Sequence, residues 1–371
     1  MERPTESRYS WERLLYSPAT ERYRKAELTP GREEGASTRS STQRGYHKRP
    51  GDLFYRQRAT LPGMAASESE LGSHPPIVTV DDFLWFLYLY PLRVLAAIAP
   101  RRLLYPISRL SRLRARKRSE VVARRVLNAE CTGIPKDQIS RIAAAFLANS
   151  AIRMLDDLVV SWPSSLRRLR CSEIRGLEHL EQARSAGNGV ILLTVHFCAT
   201  RIAKQYLSSV GYPILTVRDE LRVGDWWGRL GRRMLAPRRI KFLNAIIGEC
   251  VYVQDRGCVL KIVGRLRAGG LVNIHFDGKA GAKTVPWPFL GTRRKFSTGI
   301  FDIVRLSGCA VVPMVCLGRS SGLRIHFGPM LDIVRKPGRD EFIEANLPAF
   351  VETIEQQIVN HPEEWEQWIS I

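Results

Sequence analysis

The sequence predicts an α/β fold: a mixed central sheet flanked by helices, preceded by a helical membrane-binding lead and a disordered polar tail. Three observations carry this. From residue 190 onward, short apolar β-branched runs alternate with amphipathic stretches, the pattern of strands covered by helices. An aromatic-rich run, Phe83–Leu92, leads into a strongly basic segment. The first 75 residues are rich in Ser, Thr, Arg, Glu and Gly and hold no hydrophobic period, so they read as a disordered tail.

The chain has 371 residues, 44% of them hydrophobic and 25% charged, which excludes a wholly disordered chain and a polytopic membrane protein. Residues 76–371 read as a single domain. The tail lacks the apolar core of a secretory signal. Met64, before a Ala-Ala-Ser-Glu-Ser-Glu stretch, is a candidate true start, which would make 1–63 an extension.

The apolar run 83–92 has ten residues, half of what a spanning helix needs (~20). Its aromatic residues suit the headgroup level of a bilayer. From Leu92 to Arg125 there are 11 basic residues and one acidic, Glu120. An apolar anchor beside a basic cluster is the two-signal logic of a peripheral membrane protein, so 83–125 is read as the membrane-associating segment. A core helix followed by a solvated basic helix is the alternative. Residues 136–160 carry apolar positions at spacings of three and four, a helix.

Val190–Val195 is a buried strand, and similar runs lie at 213–217, 250–253, 271–276, 310–317 and 323–327. Helical stretches fall at 201–208 and 258–266, and residues 339–371 read as one or two helices. The net charge of +21 requires an acidic partner: nucleic acid, an anionic membrane surface or an acidic carrier protein. The basic segments hold no nucleic-acid recognition motif, and the largest follows an apolar anchor, so nucleic acid is the least favoured. A second basic block, Arg218–Lys241, is a candidate docking face for a carrier protein.

Seven scattered cysteines without a CxxC pair read as reduced, buried thiols. His and Cys show no metal-ligand spacing, and no cofactor is implied. Gly318-Arg-Ser-Ser-Gly322 matches the nucleophile-elbow pattern but joins two strands, which makes it a hairpin turn. Gly278–Thr284 resembles a phosphate loop but lacks the glycine before Lys283. His196 stands at the C-terminal end of a buried strand, just before a helix, where a general base is well placed. Cys198 is a candidate acyl-accepting thiol, with a buried cysteine preferred.

Gly189-Val-Ile-Leu-Leu-Thr-Val-His-Phe197 resembles the strand-to-histidine motif of the late acyltransferases of lipid A biosynthesis, within the lysophospholipid acyltransferase superfamily. Gly270–Asp277, Val285–Gly291, Ser297–Gly299 with Gly308–Pro313, and His361–Trp365 resemble further family segments in order, across roughly residues 82–368. The resemblance implies acyl transfer from a thioester of acyl carrier protein or coenzyme A to a hydroxyl of a lipid or glycolipid. His196 would be the base. The expected place is the cytoplasmic face of the inner membrane, bound peripherally.

One departure stands out. The family places Asp or Glu five residues after the histidine, and this chain has Arg201. A cation there opposes an imidazolium. Asp277 is the first candidate for a compensating carboxylate, with Asp219 and Glu220 behind it. By resemblance, Arg218 and Arg256 would bind an acidic head group or a phosphate. Arg201 either replaces the acid by decay or was recruited to bind an anionic substrate. A degenerate, non-catalytic member that binds lipid or carrier is the alternative reading.

Overall fold

The computed structural model describes residues 76–98, 121–122, 125, 134–162, 171–219, 228–278, 281, 283–319 and 322–369. The tail 1–75 and most of the basic segment 101–125 lie outside the described residues.

The strands are β1 (Cys171–Arg175), β2 (Val190–Thr194), β3 (Ile214–Arg218), β4 (Cys250–Tyr252), β5 (Leu271–His275), β6 (Thr284–Phe289), β7 (Thr292–Ser297), β8 (Ala310–Arg319) and β9 (Gly322–Phe327). Seven form one sheet in the order β1-β9-β8-β2-β5-β3-β4. All pairs in it are parallel except the β8–β9 hairpin. The sheet is therefore mixed but mostly parallel.

The helices are α1 (Val80–Leu87), α2 (Arg93–Ile98), α3 (Lys136–Val160), α4 (Leu177–Ser185), α5 (Thr200–Ser209), α6 (Arg229–Ile247), α7 (Cys258–Arg267), α8 (Gly299–Ser307) and α9 (Arg339–Asn360). They cover both faces of the sheet, which explains the unbroken apolar run of β2: a strand buried on both faces has no polar side. Ile191 and Leu193 point into a cluster with Ile262, Phe301 and Phe350 of α7, α8 and α9. Val190 and Leu192 point into a second cluster with Leu180, Ile202 and Phe242 of α4, α5 and α6. This is the period-2 alternation of a strand expressed as two cores. Gly189 enters β2 at φ +67°, and a Cβ there would lie 2.4 Å from the Leu266 carbonyl oxygen. Only glycine permits that approach.

Besides α4 and α8, three parts of the fold went unread in the sequence. The basic block 218–241 is mostly α6, with Pro237 inside it. The segment 284–297 is a separate β6–β7 hairpin that carries two prolines, Pro286 and Pro288. Two-stranded pairing leaves both strands as edges, where proline's missing N–H costs little. The third, β1, is a short edge strand beside β9.

The lead begins with a capping box: Thr79 Oγ1 accepts from the Asp82 N–H, and Asp82 Oδ2 accepts from the Thr79 N–H. Asp82 also accepts from the Gly228 N–H at the start of α6. The run 83–92 continues from α1 into a π-helical turn, Tyr88–Leu92, which contains Pro91. Tyr88 and Leu89 are buried in the second core, whereas Val80, Phe83, Leu84 and Phe86 are exposed. No described helix is long and apolar enough to cross a membrane.

Candidate active site

The register of β2 and β5 builds the site. They pair in parallel with Thr194 opposite His275. Two residues further on, His196 and Asp277 leave the sheet side by side at its C-terminal edge, where ligand sites of open α/β sheets form. His196 Nδ1 lies 2.8 Å from Asp277 Oδ1. The His196 backbone N–H donates to the same carboxylate, 3.0 Å from Oδ2. With Nδ1–H committed to Asp277, Nε2 is the nitrogen left to accept a proton.

Asp277 is fully buried. Its Oδ2 accepts from Trp365 Nε1 at 2.7 Å, and its backbone carbonyl accepts from Arg294 of β7. The C-terminal segment holds the other side of the histidine turn. The Glu366 N–H donates to the His196 carbonyl at 2.8 Å, and the Cys198 N–H donates to the Glu364 carbonyl at 2.9 Å. A carboxylate so fully satisfied stays ionised and fixed in place.

Burial alone would push the His196 imidazole down, but the Asp277 carboxylate outweighs it and holds the ring above its ordinary value. Burial would likewise push the Asp277 carboxyl up, and His196 with the surrounding hydrogen bonds holds it below the usual range. A reaction that needs neutral His196 therefore gains rate with rising pH through a midpoint above ~6.5. In Asp277→Asn the carboxylate is gone and burial prevails, so the residual activity should show a midpoint below ~6.5. The pH profile of kcat/KM reads this, and an unmoved midpoint would show that Asp277 does not set the base.

His196 opens into a cavity of about 910 Å³. That is the upper range for sites that enclose small molecules or lipid chains. Trp85 and Tyr88 of the lead, and Ile262 and Ile303, give it apolar wall. Arg201, Lys204, Arg218 and Arg239 give it cations. Lys204 is buried, and its Nζ donates to Thr216 Oγ1 at 3.2 Å. Burial, with Arg201 and Arg218 nearby, pulls its amine down to about 7. Burial and the Arg201 charge also lower Arg218 and Arg239. Four carboxylates, Asp157, Asp219, Asp302 and Glu366, line it as well.

The structure brings His196, Asp277, Arg201 and Arg218 to this cavity or its floor and leaves Arg256 outside. Arg256 is an exposed turn residue between β4 and α7 and does not line the cavity. Arg201 Nη1 lies 2.6 Å from Asp157 Oδ2 of α3. Its partner is thus a buried acid on another helix, and the carboxylate beside His196 is that of Asp277. Arg218 stacks on Tyr252 at 5.6 Å and donates to Asn244 Oδ1. Asp219 is exposed and accepts from Gln254, while Glu220 lies outside the described residues. Cys198 is buried, and burial pushes its thiol well above the ordinary value, which suits a core cysteine and not a nucleophile. No group of His, Cys, Asp or Glu among the described residues is arranged to hold a metal.

Trp365, Asp157, Lys204 and His275 escaped the sequence reading as site residues. Trp365 stood in the segment His361–Trp365, matched to the family without a role. His275 stood in the same way in Gly270–Asp277, while Asp157 and Lys204 carried no local signal, because each reaches the site through packing of separate elements.

A family model of bacterial lipid A biosynthesis acyltransferases matches residues 76–370. The chain belongs to this family. The match takes in every described element, from the lead to Trp365 and beyond. A search of curated proteins finds no match. As a lipid A biosynthesis acyltransferase, the protein comes from a family whose activity is acyl transfer to lipid. In this family member His196 is paired with a carboxylate just past β5, across the sheet and not along α5.

Proposed function

We propose that the protein transfers an acyl chain from a thioester of acyl carrier protein or coenzyme A to a hydroxyl of a lipid or glycolipid. The observation that carries this is the His196–Asp277 pair at the mouth of a cavity with apolar walls and cationic side chains. His196 Nε2 takes the hydroxyl proton as the oxygen attacks the thioester carbonyl. Asp277 stabilises the imidazolium that forms. The thiolate leaves and takes the proton from His196. Arg218, with Arg201 and Lys204, would receive the anionic part of donor or acceptor. The test is incubation of the purified protein with acyl-carrier-protein or coenzyme A thioesters and a membrane lipid extract. A new acylated lipid in the mass spectrum supports the reading, and none with any donor favours the non-catalytic alternative.

We propose that the reaction takes place at an anionic membrane surface, on the cytoplasmic face of the inner membrane. The exposed row Val80, Phe83 and Phe86 of α1 supports this, because these side chains leave the core while Tyr88 and Leu89 anchor it. Burying a large apolar side chain gains about 1.5–3 kcal/mol. Replacing the three by Ser should therefore weaken binding to anionic vesicles at least tenfold at every salt concentration. Neutralising the arginines between 109 and 118 should weaken it mainly at low salt, since the Debye length is ~8 Å at physiological ionic strength. Equal sedimentation with neutral and anionic vesicles would refute the electrostatic part.

A further inference from the structure

His275 is the last residue of β5, opposite Thr194 in register. Its ring stacks on His196, with centroids 4.3 Å apart and planes 26° from parallel. It lines the same cavity. Among the described residues no hydrogen bond to its ring is found, in contrast to the fully satisfied Asp277 two residues on. Burial and the neighbouring His196 hold its imidazole well below the ordinary value, so it stays neutral while His196 gains its proton. A neutral imidazole carries one N–H donor.

We propose that His275 is a second catalytic residue, whose ring N–H donates a hydrogen bond to the carbonyl oxygen of the acyl thioester and holds the oxyanion formed on attack. This rests on the acyl-transfer reading above. The stack sets the two rings side by side at the wall of one cavity, so that a hydroxyl on His196 and a carbonyl on His275 would be held next to each other. A cationic donor in this position would oppose the imidazolium forming beside it, and a neutral one does not. A neutral histidine polarises a carbonyl in the same manner in isomerase catalysis. As the O–C bond forms, the carbonyl π pair moves to oxygen and is held by the His275 N–H. Collapse re-forms the C=O bond and breaks the C–S bond, and the thiolate takes the proton from His196. His275 transfers no proton and ends as it began.

Two variants separate a donor from a packing group. His275→Phe keeps a stacked ring without the N–H, and His275→Gln keeps a donor without the ring. The probes are a saturated acyl-coenzyme A with lipid extract for kinetics, and the same thioester labelled at the carbonyl carbon for infrared spectra of the bound state. His275→Phe should lower kcat by about 10²–10³-fold, the cost of one oxyanion donor, with KM nearly unchanged. His275→Gln should recover at least about tenfold of that loss. The parent should shift the thioester carbonyl stretch to lower frequency, and His275→Phe should abolish the shift. Equal kcat losses in both variants, an undiminished kcat in His275→Phe, or no carbonyl shift in the parent would overturn the proposal. A parent that shifts the carbonyl through His275 but acylates no lipid would instead overturn the acyl-transfer reading and leave His275 as a carbonyl-binding group.

Discussion

Asp277→Asn is expected to lower kcat for acyl transfer by about 10⁴-fold, as loss of the acid does in a serine-protease triad. The physical cause is the same. The carboxylate fixes the His196 tautomer through Nδ1 at 2.8 Å and stabilises the imidazolium. An amide fills the same volume and keeps the Trp365 contact through its oxygen, but presents no charge. His196→Ala should leave no measurable transfer. Both variants should still bind vesicles, and His196→Ala should keep the thermal unfolding profile of the parent to within a few degrees, because His196 lies at the surface of the cavity with a third of its side chain exposed, 33%. Steady-state kinetics with thermal melts read both quantities. An Asp277→Asn enzyme within tenfold of the parent would remove this residue from the mechanism.

Arg201→Glu puts an acid five residues after His196, yet it is expected to unfold the site and not to improve it. Arg201 neutralises Asp157, whose side chain is only 8% exposed. Burial already pushes the Asp157 carboxyl up, and Arg201 pulls against that. The substitution would face one buried carboxylate with another. Breaking a buried pair costs about 3–5 kcal/mol, and the lower end applies because Arg201 is 30% exposed. The melting temperature should fall by several degrees, at ~2–4 °C per kcal/mol for a domain of this size. The double exchange Arg201→Glu with Asp157→Arg should recover at least half of that stability. A parent-like melt for Arg201→Glu alone would mean that the ion pair contributes nothing. A rise in kcat would mean that Asp277 had been doing the acid's task poorly.

The α/β fold was legible because β2 and α3 obey local rules. A β-branched run buried on both faces and an apolar period of three and four each announce one geometry. Helix α3 spans the residues its periodicity marks, 136–160. The β6–β7 hairpin was not legible, because Pro286 and Pro288 argue against a strand until its edge position is known. Helix α6 was hidden by its charge: eight basic residues between 218 and 241 read as a surface block, although Phe242 and Ile246 anchor it in the core. The tail and the arginine-rich stretch of the lead remain readings of composition alone.

The sequence by itself determined the class of fold, the family, and the place of His196 at a strand end, since each rests on residues close together in the chain. It also singled out Asp277 as the carboxylate to examine, from a second strand end. Only the tertiary structure decided that the two meet, because their contact depends on the parallel register of β2 and β5, which joins residues 81 positions apart. Packing likewise decided that Trp365 holds Asp277, that Arg201 answers to Asp157, and that His275 lies against His196. A hydrogen bond or a ring stack is a relation of a few ångströms between side chains, and the chain reveals it only once its strands are paired.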